Sequence, residues 1–255
     1  MSMVHTELTK AHGSLSWLVI FTLPILSVLS GSIGTLTTGG ELDGGWDTLW
    51  IRSIGFYGMT ILPVGIAILA SLAWKSEHTP GNWNALMSQP IHMLRIVASK
   101  ASVVAIFAAL MQVVLIATIV VVGKLGLGLE GMLPATFWMS SLLVIIACIP
   151  VAVLQSLLSM TISSFAIPVA IALVATGIST AALMVGVPGA LLSPYALATY
   201  ATQLGTTLVG DASTAFQAAD ITAMTAGFVV LLATGLSAFF IWASTNLLHR
   251  RDLHA

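Results

Sequence analysis

Hydrophobic residues fall along this chain in six long runs that short polar segments separate. A helix needs about 20 apolar residues to cross the hydrocarbon core of a bilayer, and each run reaches that length. Proline inside several runs is compatible with a membrane helix, because neighbouring helices can satisfy the freed backbone groups. The pattern predicts an all-α membrane protein with six spans, at residues 17–36, 51–74, 102–122, 136–158, 165–187 and 222–242.

Composition supports the same prediction. Of the 255 residues, 58% are hydrophobic and 7% are charged, and the mean hydropathy is +1.04. These are too few charged side chains to cover a soluble globule, so membrane lipid must cover much of the surface. One transmembrane domain over residues 1–255 accounts for the chain. The net charge of −1 argues against nucleic acid as a partner, because no basic face could release counterions from phosphates.

The distribution of Lys and Arg predicts the orientation. Cytoplasmic loops of membrane proteins are enriched in these residues. With the N-terminus in the cytoplasm, only Arg52 and Lys124 of the eight cations lie outside. Both termini are therefore expected on the cytoplasmic side. The first run is longer than the apolar core of a signal peptide and lacks an A-x-A cleavage site, so we expect an uncleaved span.

The segment before the first span has two interpretations. Val4 and Leu8 fall on one helical stripe, while Glu7 and Lys10 fall elsewhere. This spacing suits a short helix that lies in the membrane interface. A solvated tail fits the same residues.

The chemistry that the predicted spans lack narrows the function. Ion-coupled carriers need a group that changes charge inside the bilayer, but apart from Arg52 at an outer edge the predicted spans hold no Asp, Glu, Lys, Arg or His. A single cysteine, Cys148, excludes a CxxC metal pair. No G-x-x-x-x-G-K-[ST] phosphate loop is present, so the chain by itself is no ATPase. No catalytic, cofactor-binding or metal-ligating residue is predicted, and the energy source has to be another chain.

Charged residues cluster in the segment between spans two and three. Lys75, Glu77, Arg95 and Lys100 lie there, around the sequence EHTPGNWNALMSQPIHMLRIVASK of residues 77–100. Snorkelling and contact with lipid phosphate explain Arg95 and Lys100 without a functional role.

The same segment predicts a short amphipathic helix on the cytoplasmic side. Thr79 can cap a helix whose first residue is Pro80. Apolar residues then recur at helical spacing until a proline ends the helix, at Trp83, Leu86, Met87 and Pro90. Such an apolar face requires a partner, and the groove of a soluble protein would bury it.

Polar side chains inside the spans are few. Gln112 and Gln155 can form hydrogen bonds across helix interfaces, as amides commonly do in membrane proteins. Alternatively, both glutamines line the path of an amphiphile between two protomers. The sequence leaves both interpretations open.

The outer segment between spans five and six is too apolar for a water-exposed loop. Residues 186–204 read GVPGALLSPYALATYATQL, in which Ser193 and Pro194 are typical of a helix cap and first residue. Two short helices that dip into the outer leaflet would bury this segment, with Tyr195 and Tyr200 at the interface.

Together these elements resemble the ATP-binding-cassette (ABC) type-2 permeases, most of all their bacterial lantibiotic-immunity and bacitracin-type branch. The resemblance rests on an N-terminal Glu-Leu-Thr-Lys segment, six spans, an inner loop of the form E-x-x-x-x-x-W-x-x-L-x-x-x-P, a lysine leading into span three, and apolar outer helices before span six. The matching positions in the loop are Glu77, Trp83, Leu86, Pro90 and Lys100. Residues 78–81 depart from the charged residues expected after the glutamate.

The resemblance implies roles for these segments. The inner loop would form a coupling helix that docks into a separate ABC ATPase subunit, through Glu77, Trp83, Leu86, Met87 and Pro90. ATP and magnesium would be bound by that ATPase and not by this chain. The permease would pair with a second copy of itself or with a paralogous permease.

At the other end of the bundle, the resemblance implies that the outer helices help to close the pathway. The residues that would form this outer gate are Pro194, Tyr195 and Tyr200. Plain anchoring at the interface explains the two tyrosines equally well. The implied location is the bacterial cytoplasmic membrane.

The expected function is ATP-driven export of an amphipathic peptide antibiotic or another hydrophobic drug, taken from the bilayer. Two alternatives remain. One is a secondary, ion-coupled carrier, and the other is a membrane subunit that binds an ATPase but senses or scaffolds rather than transports.

Overall fold

The computed structural model describes residues 3–11, 14–38, 42, 44–80, 82, 92–206 and 220–252. The structure is predominantly helical, and six helical runs are long and apolar enough to cross a membrane, which confirms the predicted six-span, all-α architecture. The helices are α1 (Met3–Ala11), α2 (Ser16–Thr38), α3 (Gly45–Phe56), α4 (Leu62–Lys75), α5 (Met93–Val121), α6 (Ala135–Thr161), α7 (Ala166–Met184), α8 (Pro194–Gln203) and α9 (Ala223–Asp252).

Three short segments complete the described helices. A π-helical segment, Tyr57–Ile61, joins α3 to α4, so that span two is one continuous run. A second π-helical segment, Val122–Gly126, extends α5. A 3-10 turn, Ala190–Leu192, precedes α8.

Spans two and three exceed their predicted lengths by the most. Span two covers Gly45–Lys75 and span three covers Leu94–Gly126. Beyond the predicted bounds these helices also carry Asp47 and Lys100. A helix satisfies its own backbone hydrogen bonds, so it can continue past the hydrocarbon edge. That the part of each span inside the bilayer holds no charged residue apart from Arg52 stays a prediction.

The N-terminal segment before span one is helical from Met3 to Ala11 and its apolar side packs on the bundle, so the interpretation as a plain solvated tail is wrong for these residues. Val4 and Leu8 are half-buried and pack against the core of the bundle. The apolar stripe predicted for α1 thus packs on the protein, chiefly on α5.

Helix α6 lies at the centre of the bundle and packs against α4, α5, α8 and α9. In the core, the rings of Trp50 on α3 and Phe137 on α6 stack with centroids 4.7 Å apart and an angle of 13° between their planes. Burying two large aromatic side chains in this way supplies much of the dispersion contact of a core. In contrast, α7 and α9 leave most of their apolar surface exposed, so lipid or another chain must cover it.

Helix α8 folds back into the bundle between spans five and six, and nearly all of its residues are buried. It packs against the π-helical segment of span two, where Thr199 Oγ1 donates a hydrogen bond of 3.2 Å to the Gly58 carbonyl oxygen. A side chain on Gly58 would overlap the side chain of Thr202. Glycine is therefore required here by the close approach of two helices rather than by an unusual backbone angle.

We expect Gly58→Ala to destabilise the protein by about 1–3 kcal/mol, because the added methyl group forces α8 away from span two. Thermal unfolding of the purified chain in detergent measures this effect. Gly177→Ala is the matched control, since a methyl group on that helical glycine meets no atom within 4 Å. Equal melting temperatures for Gly58→Ala and the unmodified chain would contradict the packing described.

Candidate coupling site

Four charged side chains meet at the end of the bundle from which the loop between spans two and three emerges. They come from α1, from the turn after α4 and from the first turns of α5. We call this group the basal cluster; it consists of Glu7, Lys10, Glu77 and Lys100. Two carboxylates and two ammonium groups give it a formal charge of zero.

Lys100 is the centre of the basal cluster. Its side chain is 2% exposed, and its Nζ lies 2.8 Å from Glu7 Oε2 and 3.0 Å from Glu77 Oε1. The ammonium also donates to the Ala73 carbonyl oxygen at 3.0 Å and lies 5.0 Å from the ring centroid of Trp74. A buried ammonium is tolerated only when its protons are paired in this way, because desolvation of an unpaired charge is very costly.

Glu77 faces the protein and not the solvent. It is 6% exposed, and its Oε1 accepts hydrogen bonds from Lys100 at 3.0 Å and, more weakly, from Lys10 and Ser76 at 3.5 and 3.4 Å. Its predicted part in ATPase coupling stays a prediction. The structure adds that the carboxylate acts on the loop by anchoring its first residues to α1 and α5.

The electrostatics of the basal cluster favour its charged state. Burial tends to raise the pKa of Glu7, but the attraction of Lys100 and hydrogen bonds from Lys10 and Lys100 outweigh it and hold this pKa below its usual value of 4.5. Burial tends to lower the pKa of Lys10, but the hydrogen bond and attraction to Glu7, with a smaller contribution from Glu77, raise it above 10.5. Both groups therefore remain charged at neutral pH.

Neutral hydrogen bonds fasten the same region to the central helix α6. Trp74 Nε1 donates to Ser156 Oγ at 2.8 Å, and the hydroxyls of Ser71 and Ser159 are 3.2 Å apart. His78 Nε2 lies 2.7 Å from the Ser159 carbonyl oxygen. The end of α4 is thus held by ion pairs on one side and by hydrogen bonds to α6 on the other, which ties the start of the loop to the bundle.

The predicted coupling helix itself is only partly described. Trp83, Leu86, Met87 and Pro90 lie outside the described residues, and their roles stay predictions. The chain before them turns through Thr79, and the Asn82 N–H donates to the Thr79 carbonyl oxygen at 3.1 Å.

Sequence reasoning did not identify Glu7 and Lys10 as members of this site. Their spacing of three residues places both on one side of α1, and their side chains are 2.8 Å apart. That pair was visible in the sequence as part of the Glu-Leu-Thr-Lys segment. Its partners, 67 and 93 residues away, could be found only from the packing of α1.

Gln112 and Gln155 are both buried inside one bundle. Gln112 Nε2 donates to Ser141 Oγ at 3.1 Å, which joins α5 to α6. Gln155 Nε2 donates to the Tyr195 hydroxyl at 2.6 Å, which joins α6 to α8. Pathway lining stays a prediction for both, but the contacts described are those of helix packing, the other interpretation that the sequence left open.

The residues of the predicted outer gate lie on α8. Pro194 is the first residue of this helix and Ser193 is its N-cap residue, as the sequence predicted. The Ser193 hydroxyl makes no capping hydrogen bond; it lies 2.8 Å from the hydroxyl of Ser179 on α7. Tyr195 is 4% exposed and Tyr200 is half-buried. The expectation of interfacial tyrosines is therefore wrong for Tyr195, because Gln155 supplies its hydroxyl with a partner inside the bundle.

Comparison with known proteins identifies the class to which this bundle belongs. Residues 3–179 match the family model described as ABC-2 family transporter protein, and this stretch contains α1, the basal cluster and most of α7. No curated protein matches the chain, and no solved structure matches it either. The chain belongs to the ABC-2 transporter family and is a multi-pass membrane permease component whose partner is an ABC ATPase.

We expect Lys100→Ala to destabilise the protein by about 3–5 kcal/mol, because it leaves the buried carboxylate of Glu77 and the partly buried carboxylate of Glu7 with too little positive charge. Unfolding of the purified chain in detergent measures the loss. Lys75→Ala removes an exposed cation from the adjoining helix end and is the matched control, with an expected change within about 0.5 kcal/mol. Similar losses for both variants would show that the basal cluster has no special role.

Docking of α1 should depend on pH in a defined direction. Because the pKa of Glu7 is lowered on folding, its contribution to docking is fully present above 4.5 and is lost as pH falls through the folded value. Because the pKa of Lys10 is raised, its contribution is lost as pH rises through a value above 10.5.

An environment-sensitive fluorophore on Thr6→Cys, in a Cys148→Ser background, would report this docking, since Thr6 is exposed. We expect an acid transition below pH 4.5 in the parent protein. In the Glu7→Gln variant the fluorescence should no longer show that transition. An identical acid transition in both proteins would contradict the role given to Glu7.

Proposed function

We propose that this chain is the permease subunit of an ABC exporter that removes an amphipathic peptide antibiotic or another hydrophobic drug from the bilayer of a bacterial cytoplasmic membrane. The observation that carries the mechanical part of this proposal is the basal cluster. It ties both ends of the loop between spans two and three, at Glu77 and Lys100, to each other and to α1.

Ion pairs that connect the two ends of the loop can transmit its motion to the helices. A soluble ATPase that grips the loop would displace the end of α4 and the beginning of α5 together, because Glu77 and Lys100 are joined at 3.0 Å. Helix α1 would follow through Glu7, and α6 would follow through Trp74 and Ser156. Motion of the loop would therefore become rotation of the bundle rather than local bending of one hairpin.

The proposed cycle needs two such bundles. Closure of two ATPase subunits on ATP and magnesium, which the partner binds, would move both loops and rock the bundles against each other. The apolar surfaces of α7 and α9, exposed in the single chain, are available for a second copy or a paralogous permease and for lipid. Helix α8, with Tyr195 and Tyr200, would then close the outward end.

The nature of the cargo is proposed from the chemistry of the spans. Their midsections carry hydroxyl and amide groups but no Asp, Glu, Lys, Arg or His side chain. Such a lining suits a mostly apolar molecule that partitions into the membrane, and it offers no group to couple transport to an ion gradient. The resemblance to the lantibiotic-immunity and bacitracin-type branch supports a peptide antibiotic within this class.

Co-purification with the ATPase subunit tests the docking part of the proposal. We expect Trp83→Ala combined with Leu86→Ala to reduce recovery of the ATPase about ten-fold or more, because anchoring aromatic and apolar residues commonly dominate such interfaces. Trp138→Ala is the matched control, since it removes a partly exposed tryptophan from the other end of the bundle. These variants leave Glu77 and the basal cluster intact, so a loss of ATPase cannot be ascribed to misfolding of that joint. Undiminished recovery would contradict docking through this loop.

Transport in proteoliposomes separates export from the two alternatives. We expect amphipathic peptides to stimulate ATP hydrolysis by the complex and to be moved in an ATP-dependent manner that an uncoupler does not abolish. Collapse with an uncoupler at constant ATP would instead identify a secondary carrier. An ATPase that binds but shows no stimulation by any amphiphile would identify a sensing or scaffolding subunit.

A further inference from the structure

A second feature lies far from the basal cluster, on the outer surface of α2 and α3. An open groove of about 470 Å³ runs between these helices, a volume within the range of about 300–1,000 Å³ that small-molecule pockets occupy. Its lining is apolar apart from one serine and one cation, and it consists of Ser30, Gly31, Ile51, Arg52, Gly55, Phe56 and Met59.

The groove is charged at one end and apolar along its length. Arg52, Phe56 and Met59 follow one another at helical spacing, so they form a line about 10 Å long on the face of span two. Phe56 is 75% exposed, so its ring is open to an apolar ligand or to lipid. A cation followed by an apolar stripe is the complement of an anionic amphiphile.

The position of Arg52 along the span also favours an anionic amphiphile as the ligand. Span two has 31 residues, from Gly45 to Lys75, and is longer than the hydrocarbon core of about 30 Å requires. If the span is centred in the bilayer, Arg52 lies about 12 Å from the midplane, close to the hydrocarbon edge. Its long side chain then reaches the layer of lipid phosphates, while Phe56 and Met59 lie at the depth of acyl chains.

Arg52 also has capacity for a ligand. Among the described residues, its guanidinium makes one long hydrogen bond, from Nη1 to Thr35 Oγ1 at 3.4 Å. A guanidinium presents several N–H donors in a planar fork that matches the oxygens of a phosphate. An isologous contact with a second copy, centred on this groove, would place two Arg52 side chains against each other, which like charge disfavours.

We propose that the α2–α3 groove is a binding site for an anionic glycerophospholipid of the outer leaflet. Arg52 holds the phosphodiester group, and one acyl chain lies over Gly55, Phe56 and Met59. The site is separate from the basal cluster and from the loop that meets the ATPase. A bound lipid would cover the exposed face of span two and hold α2 against α3.

The test uses the full-length chain in maltoside micelles with phosphatidylglycerol that carries a diazirine in one acyl chain. After irradiation, mass spectrometry of peptides should locate the label in the segment containing Phe56 and Met59. We expect Arg52→Gln to reduce this labelling about ten-fold, because a charge-assisted hydrogen-bonded contact is lost. Arg52→Lys should retain a substantial part of it. Lys75→Gln removes a cation from the opposite end of the same span and is the matched control, expected to leave the labelling unchanged.

A second variant tests the groove without touching the charge. A Cβ atom added to Gly55 meets no atom within 4 Å, and Gly55 lines the groove. Gly55→Leu should therefore fold and fill the groove, with loss of labelling while Arg52 is kept. Labelling that survives both Gly55→Leu and Arg52→Gln would overturn the proposal.

Competing occupants give different results. Diacylglycerol with the same diazirine chain lacks the phosphate. If it labels the groove as strongly as phosphatidylglycerol does, the groove binds apolar chains without recognising the phosphate. Displacement of the lipid by excess inorganic phosphate would indicate an anion site rather than a lipid site. Disulfide formation between two chains at Phe56→Cys, without lipid labelling, would show that a second copy covers this face. Each of these three outcomes contradicts the proposal.

Discussion

The arrangement at the base of this permease depends on one buried ammonium group. Lys100 enters the protein at the beginning of span three, where neither water nor lipid headgroups can solvate it, since its side chain is 2% exposed. It can remain charged only if carboxylates and carbonyl oxygens surround it. Glu7, Glu77 and the Ala73 carbonyl oxygen meet that requirement, and they come from two different parts of the chain, α1 and the end of span two. Satisfying one cation therefore brings together α1, the end of span two and the beginning of span three.

Along α8, buried polar groups find neutral partners. Thr199 donates to the Gly58 carbonyl oxygen in the π-helical segment, and Gln155 donates to the Tyr195 hydroxyl. These bonds hold α8 inside the bundle and carry no net charge, so their rupture leaves less costly groups behind than rupture of the basal cluster would. The bundle is therefore held by ion pairs at the basal cluster and by weaker neutral hydrogen bonds along α8.

How far the sequence predicts the site differs from residue to residue. The position of Pro194 as a helix start follows from local chemistry and was predicted correctly. The partner of Tyr195 did not follow, because Gln155 is 40 residues away and meets it only after α8 folds back against α6. Glu77 was singled out as a loop residue that meets a partner protein, whereas its carboxylate lies among Glu7, Lys10 and Lys100. Local sequence patterns predict which face of a helix is apolar. They do not predict which distant helix that face, or a polar side chain on it, will contact.

The sequence by itself determined the membrane class, the six spans and the family resemblance, because hydrophobic length and composition are set by the thickness and polarity of the bilayer and need no tertiary contact. Only the tertiary structure decided that α1 docks on α5, that Lys100 is buried between two carboxylates, that span two contains a π-helical segment against α8, and that Arg52 heads an apolar groove. Each of these depends on side chains or helices that are distant in the chain. Their pairing is selected by the cost of leaving charges and polar groups unsatisfied inside the folded bundle.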